Sequence, residues 1–264
     1  MPDYSADLAT AHALANTADA ISMRRFLALD LQVRSKPDLT PVSDADTAVE
    51  QAIRATLARV APDDAILGEE FGVVGGDVRT GRQWILDPID GTKNYVRGVP
   101  VWATLIALVE GGEPVMGLVS APALGRRWWA AAGMGAFVAR HTAEPTRIHV
   151  SDVDRLEDAS FCYSSLPEWE RIGRLEPMLD LMRDTWRSRA FGDFYGYMLL
   201  AEGALDVMVE LELSVWDMAA LVPIVVEAGG RFTDLAGTPG PNGGNAVATN
   251  GHLHQDVLRR LNQS

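Results

Sequence analysis

Hydrophobic and polar positions follow two different patterns along the chain, and the change falls near residue 150. Before it, an alanine- and leucine-rich helical pattern covers 5–29, and a second helical pattern covers 43–60 and starts at Ser43, a residue type that caps helices. Short apolar runs separated by glycine-rich segments such as 72–82 lie at 65–67, 84–86, 101–109, 114–120, 128–132 and 136–138. This order predicts two helices followed by a mainly antiparallel sheet.

After residue 150, strand-like and helix-like segments alternate. The predicted strands are 159–163, 187–191, 204–211 and 231–235, and the predicted helices are 168–184, 194–203 and 216–228. Such alternation is typical of an α/β unit, and glycine and proline predict a loop over 234–244. We therefore expect two parts, 1–150 with the N-terminal helices, the antiparallel sheet and most metal ligands, and 151–264 with an α/β arrangement and the residues that select the substrate.

Composition limits the kinds of protein this can be. The 264 residues are 47% hydrophobic and 22% charged, as in a globular protein of one large domain or two small ones. With 36 acidic and 23 basic side chains the net charge is −13, so broad binding to nucleic acid or to an anionic membrane is not expected. The single cysteine, Cys162, excludes an internal disulfide and a four-cysteine zinc site.

The sequence predicts neither a signal peptide nor a membrane-spanning helix. The first residues carry acids and no basic run ahead of an apolar core, so we expect no signal peptide. The apolar run at 101–109 is much shorter than the roughly 20 residues of a membrane helix. We expect a cytoplasmic protein, and the five histidines, which form no spaced metal motif, are expected mostly at its surface.

Carboxylates occur at three points beside apolar segments: Gly68-Glu69-Glu70, the run WILDPIDGT at 84–92, and Asp217 at the start of an apolar helix. Asp87 and Asp90 follow a strand that Pro88 is expected to end, and they would repel each other unless a cation lay between them. Mg²⁺ prefers such oxygen ligands. Gly91 and Thr92 would then turn the backbone so that its N–H groups face a phosphate.

At these residues the sequence resembles the inositol monophosphatase-like superfamily of metal-dependent, lithium-sensitive phosphatases. The matching motifs, in the family's order and spacing, are GEE at 68–70, WILDPIDGT at 84–92, WDMAA at 216–220 and EAGG at 227–230. Within the superfamily the chain is similar to bacterial histidinol-phosphate phosphatases, through the segments 97–102, 192–197, 220–225 and 248–254. The resemblance covers almost the whole chain and implies an α/β fold (α+β layered), the α-β-α-β-α sandwich of this superfamily.

The resemblance also implies the reaction and the metal site. It implies hydrolysis of L-histidinol phosphate to L-histidinol and phosphate in histidine biosynthesis, by a homodimer that uses two to three Mg²⁺ ions per subunit, with Mn²⁺ as a substitute. The implied ligands are Glu69, Asp87, the carbonyl of Ile89, Asp90 and Asp217, with Asp87 shared by two ions. Asp46 and Thr92 are implied to orient and deprotonate the attacking water, and Glu69 to assist through a third, weaker ion.

Substrate contacts carried over from the family complete the expected site. The implied contacts are Asp90, Gly91, Thr92, Arg189, Gly192, Asp193, Glu210 and Asp217. Asp193 and Glu210 would suit the ammonium and imidazole groups of histidinol, although Asp193 has the alternative of capping the helix at 194–203. For Asp44, Glu70 and Lys93 a role beside the metal or phosphate competes with a plain helix-end or solvated role.

Three other functions compete with this one. Asp44-Ala45-Asp46-Thr47 imitates the start of a haloacid dehalogenase-type phosphatase, but the residues before it, 36–43, do not suit the buried strand that precedes a nucleophilic aspartate. The same fold would also serve inositol monophosphate, fructose bisphosphate or a 3′-phosphoadenosine nucleotide, against which the charge of Asp193 argues weakly. A non-catalytic RNA- or protein-binding regulator is the third, and the complete ligand set disfavours it.

Overall fold

The structure is a computed structural model that describes residues 2–37, 39–75, 81–141 and 143–263. Part of the glycine-rich segment predicted at 72–82 lies outside these residues. The helices are α1 (Ser5–Arg25), α2 (Asp44–Val60), α3 (Thr92–Val96), α4 (Leu166–Arg171), α5 (Leu175–Asp184), α6 (Asp193–Ala201), α7 (Val215–Met218), α8 (Leu221–Glu227) and α9 (His254–Leu261). The strands are β1 (Val33–Ser35), β2 (Pro41–Ser43), β3 (Ala65–Gly68), β4 (Gly72–Val74), β5 (Arg82–Asp90), β6 (Ala103–Glu110), β7 (Glu113–Ala121), β8 (Arg126–Ala131), β9 (Gly135–Arg140), β10 (Thr146–Ile148), β11 (Ser160–Tyr163), β12 (Arg187–Arg189), β13 (Val207–Leu211), β14 (Arg231–Thr233) and β15 (Asn245–Thr249).

The first large sheet has the strand order β10-β9-β8-β7-β6-β5-β3-β4. Its pairs are antiparallel except β3 with β5, which run parallel. One face is covered by α1 and α2, whose apolar side chains, such as Leu14 and Ile53, pack on Trp84 and Leu86. The mainly antiparallel sheet expected from the short apolar runs before residue 150 is therefore present, and β5 lies inside it, buried on both faces.

The second sheet has the order β12-β11-β13-β15-β14 and is mixed, with β11 parallel to both of its neighbours. Helices α6 and α8 lie between the two sheets, because one apolar cluster joins Val119 of β7, Tyr197 of α6, Ile224 of α8 and Met208 of β13. A separate cluster packs α5 and α9 on the outer face. The layers therefore run helix, sheet, helix, sheet, helix.

Three predicted helices have different bounds in the structure. The helix predicted at 168–184 is two helices, because Gly173 adopts φ +71° between α4 and α5. The one predicted at 216–228 divides into α7 and α8, and α1 stops at Arg25, four residues early, with Leu27 at φ +63°.

Pro88 does not end its strand, contrary to the sequence prediction. The pairing of β5 with β6 shifts register between Asp87 and Asp90, and the strand continues to Asp90 through this irregularity. A bulge has no need of the backbone N–H that proline lacks, so proline is tolerated there. The consequence is that both carboxylates belong to one strand end.

Some elements were not predicted from the sequence. Strands β1, β2, β4, β10 and β15 are short, and most follow polar or glycine-rich segments. Helix α9 was also missed, although its buried Val257, Leu258 and Leu261 have helical spacing. His254, expected at the surface with most histidines, is buried at 1% exposure between Thr233 and Thr249. Cys162 is a buried free thiol. Among the described residues no helix has both the length and the apolar character needed to cross a bilayer.

Candidate active site

The end of β5 places two carboxylates at the floor of a cleft. Asp87 is 2% exposed, and its Oδ1 atom accepts a hydrogen bond from the backbone N–H of Ile89 at 3.0 Å. Asp90 lies beyond the register shift, and its Oδ2 atom accepts from the N–H of Phe194 at 2.8 Å. Because Phe194 lies in the first turn of α6, this contact joins the first sheet to the inner helical layer at the site.

A third carboxylate arrives from the C-terminal half. Asp217 lies in the first turn of α7, where its Oδ2 atom accepts from the N–H of Ser214 at 2.7 Å in a capping box. Asp87, Asp90 and Asp217 each offer one carboxylate oxygen, and these atoms all lie within 4.8 Å of one another. The structure thus brings together three of the five residues expected as metal ligands.

Asp87, Asp90 and Asp217 form an acidic cluster whose negative charges repel one another unless a cation is bound. Burial raises the pKa of Asp87 well above its usual range, and the nearby Glu69, Asp90 and Asp217 raise it further. Burial, with Asp193 and Asp217, does the same for the pKa of Asp90. The pKa of Asp217 is raised to about 7, again mainly by burial. Crowded hard oxygens of one charge are the donor set that divalent cations such as Mg²⁺ prefer, so these residues fit a metal.

Glu69 and the carbonyl of Ile89, the two other expected ligands, line the same cleft. Lys36, just after β1, places its Nζ atom 2.6 Å from Glu69 Oε1 and 2.7 Å from Glu70 Oε1. Burial opposes the charge of Lys36, but the two carboxylates outweigh it and raise the pKa of its ammonium group. For the Glu70 carboxyl, in contrast, burial raises the pKa, to about 7. Glu70 is therefore an ion-pair partner of Lys36 beside the cleft, and Lys36 holds Glu69 in its place.

Asp46 and Thr92 meet at the helix ends that face the cluster. Thr92 Oγ1 lies 3.3 Å from Asp46 Oδ1 and 2.9 Å from the carbonyl oxygen of Ile89. Asp46 is fully buried, and its Oδ2 atom accepts from the N–H of Ser43 at 2.8 Å in the capping box that starts α2. Burial raises the pKa of Asp46. Ser43 is thus the helix cap that the sequence predicted.

Gly91 sits in a left-handed turn between β5 and α3. Its φ is +79°, and a Cβ atom there would lie 3.0 Å from the carbonyl oxygen of Val101. Both facts favour glycine, since a side chain would be strained and crowded. Thr92 and Lys93 follow in the first turn of α3 and line the cleft.

The C-terminal half supplies the other wall of the cleft, which encloses about 660 Å³. Asp193 Oδ2 lies 3.2 Å from Asn94 Nδ2, and Glu210 Oε2 accepts from the Tyr197 hydroxyl at 3.1 Å. Burial, with Asp193 nearby, raises the pKa of Glu210 to about 8. Gly192, not Asp193, is the N-terminal cap of α6, so Asp193 is directed to the cleft and to Asn94.

Two expected residues lie away from the acidic cluster. Asp44 pairs with Arg25, Oδ2 to Nη2 at 2.8 Å, which favours its role as a first-turn helix acid. Arg189 is exposed, donates to the carbonyl of its neighbour Ser188 at 2.7 Å, and does not line the cleft. Within a single chain its position gives no support to a substrate contact.

The structure also adds residues that the sequence reasoning did not select. Glu50 accepts from the N–H of Glu70 at 2.8 Å and from the N–H of Phe71 at 3.2 Å, so it fixes the loop that carries Glu69. Asn94 and Tyr197 donate hydrogen bonds to Asp193 and Glu210 on the wall that the C-terminal half supplies, called the far wall below. Glu50 follows Asp46 by four positions, a spacing that places both on one helix face and was an available signal.

Comparison with known proteins agrees with this geometry. The model of the inositol monophosphatase family matches residues 3–264. A histidinol-phosphatase of Streptomyces coelicolor is 61% identical over 268 residues, covering 100% of this chain and 99% of the relative. A histidinol-phosphatase of Mycobacterium tuberculosis is 59% identical, covering 97% of this chain and 98% of the relative. The solved structure of an inositol monophosphatase from Zymomonas mobilis superposes with a TM-score of 0.86 at 33% identity, covering 100% of both chains.

These matches confirm the family resemblance and the layered α/β fold expected from the motifs. They also confirm a phosphatase, a hydrolase of small phosphate monoesters. The acidic cluster suits the divalent metals that phosphatases of this kind generally use. The chain belongs to the inositol monophosphatase family.

Proposed function

We propose that this chain hydrolyses L-histidinol phosphate to L-histidinol and inorganic phosphate, a step of histidine biosynthesis. The observation that carries the proposal is the cluster of the buried Asp87 with the half-buried Asp90 and Asp217, in a cleft whose other wall also bears carboxylates. The relatives named histidinol-phosphatase match this chain along nearly its whole length. A cationic leaving group explains why the acids of that wall do not repel the substrate.

Mg²⁺ is the metal we propose, with Mn²⁺ as a substitute. Glu69, Asp87 and the carbonyl of Ile89 would hold one ion, and Asp87, Asp90 and Asp217 a second, with a third ion bound more weakly near Glu69. When bound, such ions supply charge neutralisation on the phosphate and an acidified water. Lithium sensitivity is proposed on the family resemblance alone.

The protein's own groups would then position the reactants and move one proton. The hydroxyl of Thr92, which lines the cleft, would accept a proton from the attacking water while its own proton passes to the buried carboxylate of Asp46. The N–H groups of Gly91, Thr92 and Lys93 stand at the start of α3, where helical N–H groups lack partners within the helix, and would donate to the phosphate oxygens. Phosphoryl transfer depends mainly on such positioning and charge neutralisation.

Recognition of the alcohol is assigned to the far wall. Glu210 is a buried and Asp193 a half-buried carboxylate; both line the cleft, and opposite charge would attract the ammonium and imidazole of L-histidinol phosphate. Burial raises the pKa of Glu210 to about 8, and a cation bound nearby would lower this pKa and favour the ionised carboxylate. Inositol phosphates carry no cation and would gain nothing from these two charges.

The remaining proposals concern the state of the protein in the cell. We propose a homodimer, on the family resemblance, which sedimentation equilibrium would test. The cytoplasm is proposed because the relatives are bacterial biosynthetic enzymes and because the one cysteine, Cys162, is a free buried thiol.

Phosphate release with product identification tests the proposed reaction. The purified protein with Mg²⁺ is expected to release phosphate from L-histidinol phosphate and to yield L-histidinol by mass spectrometry. Chelation by EDTA and the variant Asp217→Asn are both expected to remove this activity. A matched control is Asp206→Asn, since Asp206 is a buried carboxylate bonded to Ser151 and Ser160 and does not line the cleft. Full activity of Asp217→Asn would contradict the proposed metal site.

A further inference from the structure

The C-terminal half lines the cleft with four carboxylates besides Asp217, on Glu168, Asp193, Glu210 and Glu212. The basic residues that line it are Lys36 and Lys93, and Lys36 is engaged by Glu69 and Glu70. This wall therefore keeps an excess of negative charge that the acidic cluster and its metals do not use. Such an excess is suited to a cationic part of the substrate.

Each of these four carboxylates has a partner in the protein, which for Glu168 is the side chain of Ser165. Asp193 accepts from Asn94 at 3.2 Å and Glu210 from Tyr197 at 3.1 Å. Glu212, at the rim, forms an ion pair with Arg171. Their hydrogen-bonding capacity is thus partly taken by neighbours that fix their positions.

Glu168 differs from the other three. It lies on α4 and lines the cleft, yet its Oε2 atom is shielded from solvent and receives no hydrogen bond from any described residue. Leaving a shielded acceptor without a donor costs free energy, so in native proteins such an atom usually accepts from an ordered water or a ligand. Burial raises the pKa of Glu168, and the neighbouring Glu212 raises it further.

The position of Glu168 is fixed by the packing of α4 and by a side-chain hydrogen bond with Ser165. The next residue, Trp169, is fully buried in the outer apolar cluster, and Gly173 ends the turn that separates α4 from α5. Because α4 is anchored through Trp169, the carboxylate is presented to the cleft at little further entropic cost. A pre-positioned acceptor of this kind is what selective binding requires.

We propose that Glu168 is a specificity-determining residue whose carboxylate accepts a hydrogen bond from the ammonium group of an amino-alcohol phosphate. This rests on the proposed function, in which the ammonium is that of L-histidinol phosphate. An ammonium supplies both donors and positive charge, whereas a hydroxyl supplies a donor alone. Charge-assisted hydrogen bonds are roughly twice as strong as neutral ones, so the carboxylate favours the amine-bearing substrate.

The test compares two substrates that differ only in the amine. L-histidinol phosphate is set against 3-(imidazol-4-yl)propyl phosphate, its analogue without the amino group, and kcat and KM are measured for the wild type and for Glu168→Gln. The variant keeps the shape of the side chain but loses its charge. We expect KM for L-histidinol phosphate to rise about tenfold or more with kcat nearly unchanged. KM for the analogue is expected to stay the same.

Two further variants guard against a merely structural effect. Glu170→Gln changes an exposed glutamate of the same helix that does not line the cleft, and it is expected to leave both substrates unaffected. Glu168→Asp retains the charge and is expected to restore part of the discrimination between the two substrates. Thermal unfolding of each variant shows whether it is folded.

The outcomes separate this inference from the proposed function. An equal rise of KM for both substrates in Glu168→Gln, or no rise for either, would overturn the role of Glu168 while leaving the reaction itself in place. If the wild type does not hydrolyse L-histidinol phosphate, the proposed function fails, and phosphoethanolamine compared with ethyl phosphate poses the same question of Glu168. Loss of the preference for the amine in Glu168→Gln on that second pair would still support the inference.

Discussion

Thr92 Oγ1 lies 3.3 Å from Asp46 Oδ1, and this contact joins the first turn of α3 to the first turn of α2. Each residue also has a second contact that fixes it, Thr92 to the carbonyl of Ile89 and Asp46 to the N–H of Ser43. The pair is therefore held in place at the cleft, which Thr92 lines. Thr92 is positioned to relay a proton from a water to the buried carboxylate of Asp46.

Replacing either member of the pair should slow the chemical step. Thr92→Val and Asp46→Asn are each expected to lower kcat by about 10²–10⁴-fold, the usual contribution of a positioned base, while KM changes little. Steady-state kinetics with saturating Mg²⁺ measure this. Thr47→Val is the control, because Thr47 follows Asp46 on the same helix but bonds to the carbonyl of Asp44. Equal losses in the control and the two variants would show that disturbance of α2, not proton transfer, is the cause.

Relieving repulsion within the acidic cluster should stabilise the metal-free protein. Asp217 has its pKa raised from 3.8 to about 7, mainly by burial. The folded protein therefore keeps a proton that the unfolded chain loses above about pH 4, and this contribution to stability is lost as pH rises through about 7. In EDTA, the midpoint of thermal unfolding is expected to fall as pH rises from about 4 to about 7.

The variant Asp217→Asn removes that titration while its amide oxygen can still accept from Ser214. At about pH 8 in EDTA it is expected to unfold a few degrees above the wild type, by about 2–4 °C, although it is inactive. Mg²⁺ should raise the midpoint of the wild type more than that of the variant. A variant that is less stable than the wild type in EDTA and gains equally from Mg²⁺ would contradict the proposed charge conflict.

Asp44 provides a contrast within the same helix. Its carboxylate is partly exposed and paired with Arg25, so Asp44→Asn is expected to leave kcat and KM within about twofold. Exposed pairs contribute about 0–1 kcal/mol, so chemical denaturation should detect a loss of stability no larger than that. A large loss of Mg²⁺ affinity, measured by titration calorimetry, would instead place Asp44 beside the metal.

The buried ring of His254 is expected to cause a separate loss of folding stability in acid. Its ring lies between Thr233 and Thr249, and burial, with Arg231 nearby, lowers its pKa from 6.5 to about 4. Since the folded state disfavours the protonated ring, its contribution is present above about pH 6.5 and is lost as pH falls through about 4. Denaturation midpoints of His254→Gln should therefore depend less on pH than those of the wild type over this range. His252→Gln, which changes an exposed neighbour, should follow the wild type.

Residues that lie within continuous motifs could be predicted from the sequence. Asp87 and Asp90 follow one apolar strand, and Asp217 opens a helix with a capping signal, so chain pattern and chemistry pointed to the same residues. Fold class followed from the same motifs and from the change of pattern near residue 150. The division of the chain into 1–150 and 151–264 remains a prediction, although the two large sheets are built from strands on either side of it.

Contacts made only by distant segments could not be predicted in this way. Lys36 reaches Glu69 because the β1–β2 hairpin folds back over the cleft. No pattern in the residues around Lys36 predicts this ion pair. Glu168 faces the cleft because Gly173 divides a segment that the hydrophobic pattern presents as one helix. The course of β5 past Pro88 is set by its partner β6, a tertiary effect that overrides the local tendency of proline.

The most direct test of the central claim is the ratio of kcat/KM for L-histidinol phosphate to kcat/KM for inositol 1-phosphate, measured on one preparation with Mg²⁺. The account predicts a ratio well above one, of about 10² or more, because the carboxylates of the far wall favour the cationic alcohol. A ratio below one, with faster release of phosphate from inositol 1-phosphate, would contradict it.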